Sequence, residues 1–504
     1  MYRLKNKCPF YFLLFTFCFL LIITCTTSPQ TGTLSGTINL EGQTDHSNIT
    51  IGIYELAMLD PDIVEANQKW PHIGVIINQM TEFDHRFGTL VKTGDTDASG
   101  SFEITNIPTG IYNVIAIKDS FGFRYIYNVQ INNGSNNLEV KSISHFPSPI
   151  SQGEKTPQTY IKADITLFPA THITYDITSP TTFLSYHHYI IEQDIIVDDE
   201  LTIKSGAVVR LNQGKDITSY GTFNAVGEYE NFIWFTKNDG FSEDLYSIEP
   251  DSNYIWDKVT LEPYSQAQVQ WCRFDWANIG LLNHVNGFEI SDCIFRESNC
   301  GFKAEDVDST FCSNLLCRDI LNESEAAIYF YQVANGLIEK NVMHDCENGM
   351  IIKDESSPEV NNNYISNCNN GVDISHGSSS DIHNNEISCF DYSIYIAHYS
   401  DSIIEKNNFN SKIGIRIYNF GDRQSEIHNN NLNCSKYAIE LKADYCTPIY
   451  YNINAENNYY YTNNENEIEK ILYDKYDGNQ YIEGEVFYIP FLTQEYPYAG
   501  IHGE

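Results

Sequence analysis

Residues 359–380, EVNNNYISNCNNGVDISHGSSS, combine six asparagines with apolar residues at the spacing of short strands. Asparagine is a poor former of helix and strand interiors, because its side chain competes for backbone hydrogen bonds. Val360, Ile365, Val372 and Ile374 nevertheless stand where buried strand residues would stand. The stretch therefore predicts a fold in which short strands alternate with polar corners.

This stretch is one member of a repeat of about 22 residues. Apolar anchor residues recur at Val269, Ile290, Phe311, Ile338, Val360, Ile382, Ile404, Ile427 and Ile449. Three residues after an anchor the chain places Asn314, Asn341, Asn363, Asn385, Asn407, Asn430 and Asn452, with Cys272 and Cys293 in the first two members. One coil of this length cannot bury its own apolar face, so the repeat predicts stacked coils, a right-handed parallel β-helix. Stacking turns the asparagine position into a ladder, since asparagine tolerates the left-handed backbone of a sharp corner.

Ten cysteines lie between Cys272 and Cys446, and several of them share positions of the repeat. Small, fairly apolar side chains stack well inside such a helix, so we expect mainly free, buried thiols. Cys300, Cys312 and Cys317 flank the one long step of the repeat, and the sequence leaves their disulfide state open.

The first 25 residues have the composition of an export signal. Three basic residues precede an apolar run at 10–23, which is too short for an ordinary membrane-spanning helix. Residues 1–25 resemble a bacterial lipoprotein signal, in which the cysteine that ends the apolar segment is lipidated. The resemblance implies a lipid anchor at Cys25 that holds the protein to the cell envelope, at the outer membrane or the cell surface. Thr24 departs from the small residue usual at that position, so a secreted form without lipid is the alternative.

Residues 31–145 alternate apolar and polar residues between turn signals, which predicts a β-sandwich. TDASGSFEI at 96–104 and IPTGIYNV at 107–114 place Asp, Gly and Pro at successive turns. In these stretches the segment resembles the carboxypeptidase-regulatory-like domain, which implies a transthyretin-like sandwich without catalytic residues. The insert at 57–87 is longer than this resemblance implies. Residues 146–168 contain three prolines and predict a linker.

Residues 169–495 contain the predicted β-helix and a carboxyl-terminal cap. An amphipathic helix around 465–475 is expected to cover the open end of the core. The repeat resembles the pectate-lyase-like superfamily, most closely its lipoproteins with parallel β-helix repeats. The predicted fold class is therefore all-β, with a transthyretin-like sandwich followed by a right-handed parallel β-helix. Fold class alone does not fix a reaction.

The motifs of catalytic members of that superfamily are incomplete in this chain. SHGS at 375–378 is the nearest approach to the histidine motif of polygalacturonases, and no Asp-Asp pair lies one or two coils earlier. RIY at 416–418 lacks the final lysine of their basic motif. Periplasmic copper-processing β-helix proteins share the repeat type, but this chain has only five methionines and no dense histidine motif. Close kinship with polygalacturonases and a copper role are therefore both disfavoured.

Two outward columns of the repeat contain chemistry-bearing side chains. The first, one residue after the anchors, contains the candidate catalytic residues His383, Glu405 and His428. The second, sixteen residues after the anchors, contains the candidate binding residues Asp354, His376 and His398. Members of a column would stand about 5 Å apart, so either column could bind a divalent cation such as calcium, zinc or copper, or hold an acid–base pair. The alternative is a solvated polar face with incidental histidines.

The formal net charge of −37 argues against nucleic acid as a partner. Together with the signal, it predicts an exported, lipid-anchored β-helix protein of the cell envelope that binds extracellular glycan or a surface protein without catalysis. Exposed aromatic rings could stack on sugars, whereas the alternative role of the many aromatic residues is packing in the core and at its edges. The alternatives are a polysaccharide lyase or glycoside hydrolase acting on an extended acidic polysaccharide, and a structural adhesin or spacer.

Overall fold

The computed structural model describes residues 30–142, 159–162, 165–418 and 424–502. The signal at 1–25 lies outside the described residues, and so does the candidate lipidation site Cys25. Within the described part of the chain, no helix is both long and apolar enough to cross a membrane.

The chain forms two compact units. Among the described residues, the first contains those at 30–56, 89–116 and between 125 and 166, and the second contains those at 57–88, 117–124 and from 167 onward. This division differs from the predicted boundaries, because two segments inside 31–145 belong to the second unit.

The first unit contains two four-stranded sheets. Its strands are β1 (Thr31–Leu40), β2 (Thr50–Tyr54), β3 (Leu90–Asp95), β4 (Ser101–Pro108), β5 (Gly110–Lys118), β6 (Gly122–Ile131), β7 (Gly134–Asn137), β8 (Glu139–Ser142), β9 (Thr159–Lys162) and β10 (Ile165–Leu167). One sheet has the order β10-β1-β4 with β7 beside β1, the other has the order β3-β2-β5-β6, and β8 pairs with β9. On β1 and β4 Leu34, Ile38, Phe102 and Ile104 are buried, as on strands with one face on a core. The resemblance of this unit to the carboxypeptidase-regulatory-like domain stays a prediction.

The second unit is a parallel β-helix of about 12 turns. Its strands are β11 (Thr171–Ile173), β12 (Thr181–Phe183), β13 (His188–Ile191), β14 (Ile195–Val197), β15 (Glu200–Ile203), β16 (Val208–Leu211), β17 (Ile217–Ser219), β18 (Thr222–Val226), β19 (Ile233–Lys237), β20 (Trp256–Leu261), β21 (Gln266–Gln270), β22 (Cys272–Asp275), β23 (Ala277–Asn283), β24 (Phe288–Ser291), β25 (Ile294–Arg296), β26 (Cys300–Ser313), β27 (Leu316–Arg318), β28 (Ile328–Glu339), β29 (Val342–His344), β30 (Asn348–Lys353), β31 (Pro358–Asn361), β32 (Tyr364–Ser375), β33 (Ser379–His383), β34 (Glu386–Ala397), β35 (Asp401–Glu405), β36 (Asn408–Tyr418), β37 (Glu426–His428), β38 (Asn431–Leu441), β39 (Ile453–Asn454), β40 (Leu472–Tyr473) and β41 (Val486–Phe487). Its helices are α1 (Pro61–Lys69), α2 (Gln79–Glu82) and α3 (Glu465–Ile471), with 3-10 turns at His85–Phe87 and Lys475–Asp477.

Successive coils pair in parallel, and the anchors of the repeat lie in register inside the helix. Ile382 pairs with Ile404 and Ile404 pairs with Ile427, and all three side chains are fully buried. Helix α3 lies at the predicted cap and adds Ile468 to the same core cluster. The all-β fold class with coils of about 22 residues is thereby confirmed.

The predicted asparagine ladder exists in the later coils. Its continuous members are Asn341, Asn363, Asn385, Asn407 and Asn430. The Nδ2 of Asn385 donates to the backbone oxygens of Val360 and His383, at 2.9 Å each, and to Oδ1 of Asn407, also at 2.9 Å. Its own Oδ1 accepts the backbone N–H of Asn363 at 2.9 Å. Each ladder asparagine therefore satisfies buried backbone groups that the corner would otherwise leave without partners.

The predicted ladder is wrong at its two ends. Cys312, not Phe311, pairs with Ile338, so Leu315 takes the ladder position and Asn314 stands one place earlier, in a left-handed corner conformation with φ 53°. At the other end the coil is longer by several residues, and Asn458 receives the hydrogen bonds of Asn430. Asn452 is exposed and accepts the N–H of Glu485 instead.

The described cysteines are all free thiols, including Cys300, Cys312 and Cys317, which agrees with the expected stacking inside the helix. Burial raises the pKa of each of these three thiols. They therefore stay protonated and act as small apolar side chains.

Candidate functional site

The first predicted column, His383, Glu405 and His428, is assembled as the register requires. His383 pairs with Glu405 and Glu405 pairs with His428 on successive coils. The Nε2 of His383 nevertheless lies 3.0 Å from Oε1 of Glu359, and Lys406 lies 2.7 Å from Glu405. His428 Nε2 is 3.5 Å from Oε2 of Glu405. The column is a row of solvent-facing ion pairs in which each carboxylate already has a cationic or imidazole partner.

In the second predicted column, His376 and His398 lie together and have ring centroids 4.8 Å apart. Asp354 occupies the same corner position one coil earlier, and all three residues have a left-handed backbone, with φ between 54° and 57°. Among the described residues, neither column brings three metal-ligating atoms within 4.8 Å of one another. The corner geometry accounts for their alignment, and their role in binding stays a prediction.

Residues 57–88, called here the covering segment, lie over an outward face of the β-helix. Their apolar side chains form one buried cluster with Ile294, Leu316 and Val342, three outward residues that stand in register on successive coils. Gly74 donates its N–H to Lys340 at 2.8 Å, and a Cβ at Gly74 would lie 2.5 Å from the Val342 side chain. This packing explains why the segment belongs to the second unit.

A charged layer lies beneath the same segment. Buried Asp275 accepts hydrogen bonds from Trp234 at 2.8 Å, Arg273 at 2.7 Å and Arg296 at 2.9 Å. Glu82, on the covering segment, lies 2.7 Å from Arg318. Burial raises the pKa of Asp275 to about 6, despite the charge of Arg273 beside it. The charged groups of this layer are paired with one another, so we assign the layer a structural role.

Beyond the covering segment the same face is open and carries two adjoining cavities, called together the open groove. The first, of about 430 Å³, is lined by Glu65, Lys69, Trp70, Tyr364, Glu386, Ser388, Asn408, Asn410, Asn433, Tyr461 and Glu495, with three less polar residues. The second, of about 360 Å³, shares Ser388, Asn410 and Asn433 and continues to Phe390 and Lys412. The groove therefore runs across several stacked coils.

Register builds the floor of the groove from two outward columns. One contains Glu386 and Asn408 on successive coils, and the other contains Ser388, Asn410 and Asn433. The Nδ2 of Asn408 donates to Glu386 at 2.9 Å. Because coils stack about 4.8 Å apart, the floor presents polar groups at a regular spacing along the helix axis.

Helix α1 forms one wall of the groove. Its N-cap is Asp60, whose side chain accepts the N–H groups of Asp62 and Ile63, and a proline begins its first turn. The helix presents Glu65 and Lys69 to the groove. The wall continues into Trp70, whose ring centroid lies 5.3 Å from that of Tyr364.

The groove has an acidic lining. Glu65, Glu386 and Glu495 line it with Lys69 as the counter-charge in the first cavity. Burial, with the like charge of Glu495, raises the pKa of Glu386, although the amide of Asn408 and the charge of Lys69 oppose the shift. Burial and the charge of Glu495 also raise the pKa of Tyr461 to about 12. The lining of the first cavity therefore contains three carboxyl groups and one ammonium group.

Sequence reasoning did not single out these residues. Tyr364, Glu386 and Asn408 stand four residues after their anchors, so the repeat contained the signal for one shared outward column. Nothing in the repeat indicated which outward column would be bordered by a wall. That wall comes from α1, nearly 300 residues earlier in the chain.

The fold and the groove define a parallel β-helix protein with an open polar face. The family described as Periplasmic copper-binding protein (NosD) matches residues 237–413, about a third of the chain. The matched region lies within the coils and contains most of the groove floor, but neither α1 nor Tyr461 and Glu495. Comparisons with curated proteins and with solved structures found no match.

The matched residues do not provide a soft copper centre. Met343 and Met350 are fully buried in the core, and the nearby thiols are buried and protonated. Cu(I) prefers thiolate and thioether ligands, which these residues do not offer at the surface. We therefore derive no copper chemistry from the similarity.

Proposed function

We propose that this protein is exported, anchored by lipid at Cys25, and binds an extracellular glycan in the open groove without catalysis. The signal-like composition of residues 1–25 and the similarity to a periplasmic family support export. The anchor predicts that Cys25→Ser moves the protein from the membrane fraction to the soluble fraction. Wild-type protein in the soluble fraction would indicate the secreted alternative.

The groove is the observation on which glycan binding rests. Serine, asparagine and glutamate side chains offer donors and acceptors for sugar hydroxyls, and they repeat from coil to coil. Phe390 is 66% exposed and Tyr461 is 43% exposed, so both offer ring faces to a sugar. An extended chain of sugars fits a surface whose polar groups recur along one axis.

Charge narrows the class of glycan. Three carboxylates line the first cavity with one lysine, so uronic acids would meet like charge. We infer that the ligand is a neutral or amino-sugar oligosaccharide. This ligand differs from the extended acidic polysaccharide that we considered as the substrate of a lyase or hydrolase.

The test is an array of neutral, amino-sugar and acidic oligosaccharides probed with the purified chain, followed by titration of the best ligand. Tyr461→Ala and Asn410→Ala are expected to weaken binding by about tenfold or more, since each removes a contact from the groove. Tyr445→Ala is the matched control, because Tyr445 is 81% exposed and is not part of the groove lining. Binding that is equal in all variants would contradict the groove, and no glycan binding at all would favour the adhesin or spacer role.

A glycoside hydrolase is the second candidate, and Glu386 is the residue that favours it. A half-buried carboxyl group whose pKa is raised by burial and by the like charge of Glu495 is suited to act as a general acid. If the groove is catalytic, the wild type releases reducing ends from a bound oligosaccharide and Glu386→Gln does not. The binding proposal expects no turnover by either protein.

A further inference from the structure

Outside the two predicted columns, three metal-ligating side chains converge at the start of α1, the helix that forms the groove wall. Ligand atoms of Asp60, Asp62 and His344 all lie within 4.8 Å of one another. Asp60 and Asp62 stand at the start of α1, and His344 ends β29 on the coil beneath.

The fold holds each of these side chains in place by a separate contact. Asp60 uses Oδ1 to cap α1, which leaves Oδ2 3.3 Å from Nε2 of His344. The His344 ring is buried, and its Nδ1 lies 2.8 Å from Oγ of Ser366. Asn367 donates to Oδ2 of Asp62 at 3.0 Å. The contact between Nδ1 and Ser366 fixes the orientation of the His344 ring. Its Nε2 atom therefore points at the carboxylate oxygens.

A second carboxylate faces the same nitrogen, because Oδ2 of Asp345 also lies 3.3 Å from Nε2 of His344. One N–H cannot point well at two oxygens, and both distances exceed the usual 2.7–3.2 Å of an N–H···O hydrogen bond. Ligand atoms bound tetrahedrally to a cation at about 2.0–2.1 Å stand about 3.3–3.4 Å apart. The distance from Oδ2 of Asp60 to Nε2 of His344 matches this spacing, and the ligand atoms of Asp60, Asp62 and His344 all lie within 4.8 Å of one another.

We propose that Asp60, Asp62 and His344, with Asp345 beside them, bind a divalent first-row transition-metal cation. The contact from Nδ1 to Ser366 is the outer partner that a ligating histidine usually has. Carboxylates with one imidazole and no sulfur suit Zn²⁺ or Mn²⁺, whereas Ca²⁺ takes oxygen ligands alone and Cu(I) prefers sulfur. The two aspartates come from the covering segment and the histidine from a coil, so the cation would join these parts of the second unit.

The test is a calorimetric titration of the chelator-treated full chain with ZnCl₂, in an excess of Ca²⁺ that occupies non-specific carboxylates. We expect one tight site and a higher thermal unfolding midpoint with Zn²⁺. Asp62→Asn is the principal variant, because Asp62 is exposed and its replacement spares the N-cap and the buried ring. It is expected to bind Zn²⁺ at least about tenfold more weakly, and His344→Gln the same.

The matched control is His172→Gln, which removes an exposed histidine that pairs with Glu192 in the first coils of the helix. It is expected to bind Zn²⁺ like the wild type. Equal affinity in the wild type and Asp62→Asn, or an equal rise of the unfolding midpoint in both, would overturn the proposal. The readout does not involve glycan, so its result is independent of the proposed function.

Discussion

The same outward face of the β-helix has opposite characters in its earlier and later coils. In the earlier coils it carries Ile294, Leu316 and Val342, which the covering segment buries. In the later coils the same column continues through Tyr364, Glu386 and Asn408, which line the open groove. The repeat produces the same β-helix in the earlier and the later coils, called here the covered half and the open half. The residues that face outward determine whether the covering segment packs on a half.

The corner column changes one coil before the outward column does. Its earlier members are Cys272, Cys293 and Leu315, and from Asn341 onward it is the asparagine ladder. Buried apolar side chains stabilise the earlier corners, whereas hydrogen bonds between side chain and backbone stabilise the later ones. Replacing a single side chain should therefore lower the stability of the two halves for different physical reasons.

The largest effect is expected for Asp275→Ala, beneath the covering segment. The change removes the buried carboxylate that Arg273 and Arg296 share, which costs about 3–5 kcal/mol. Urea unfolding measures the loss. Asp381→Ala, an exposed aspartate in the open half, is the control and should change stability by less than about 0.5 kcal/mol. Similar losses in both variants would remove the energetic distinction between the halves.

The covered half should also be sensitive to acid through His85. Burial lowers the pKa of this imidazole to about 3, with Asp84 opposing the shift. The unfolded chain takes up the proton near pH 6.5, so this contribution to stability is present above about pH 6.5 and is lost as the pH falls towards 3. At pH 4.5 the loss is about 2–3 kcal/mol. Asp275 has the opposite sign, because its raised pKa favours the folded state as the pH falls below about 6.

Comparison with His85→Gln isolates the histidine. The stability difference between wild type and variant should shrink by about 2–3 kcal/mol between pH 7.5 and pH 4.5, measured by urea unfolding at each pH. A difference that does not change with pH would show that the ring is accessible to protons in the folded protein.

How far the sequence predicted these features depends on whether they follow the period of the repeat. The spacing from Ile338 to Ile427 predicted the coils, the inward anchors and five ladder asparagines. It was wrong at Asn314 and Asn452, where an apolar neighbour and a longer coil shift the register. The cover and the groove wall come from residues 57–88, which have no repeat of their own. Their docking depends on complementary apolar and charged surfaces, which no local pattern encodes.

In the open half, Asn385→Leu should destabilise the helix by about 1–3 kcal/mol. Leucine leaves the backbone oxygens of Val360 and His383 and the N–H of Asn363 without their partners. The urea unfolding midpoint measures the effect. Asn410→Ala, an exposed groove asparagine, is the control and should leave the midpoint nearly unchanged. An unaltered midpoint in Asn385→Leu would contradict the ladder as a source of stability.

The smallest effect is expected for the double change His383→Ala with Glu405→Ala. Both side chains make ion pairs near the surface, so their removal should lower the free energy of unfolding by less than about 1 kcal/mol. Glycan binding in the groove should be unchanged, because neither residue lines it. Wild-type turnover of an acidic polysaccharide that vanishes in the double variant would contradict this expectation. It would place the active site on the column of His383, Glu405 and His428 and would leave the open groove without a role in the reaction.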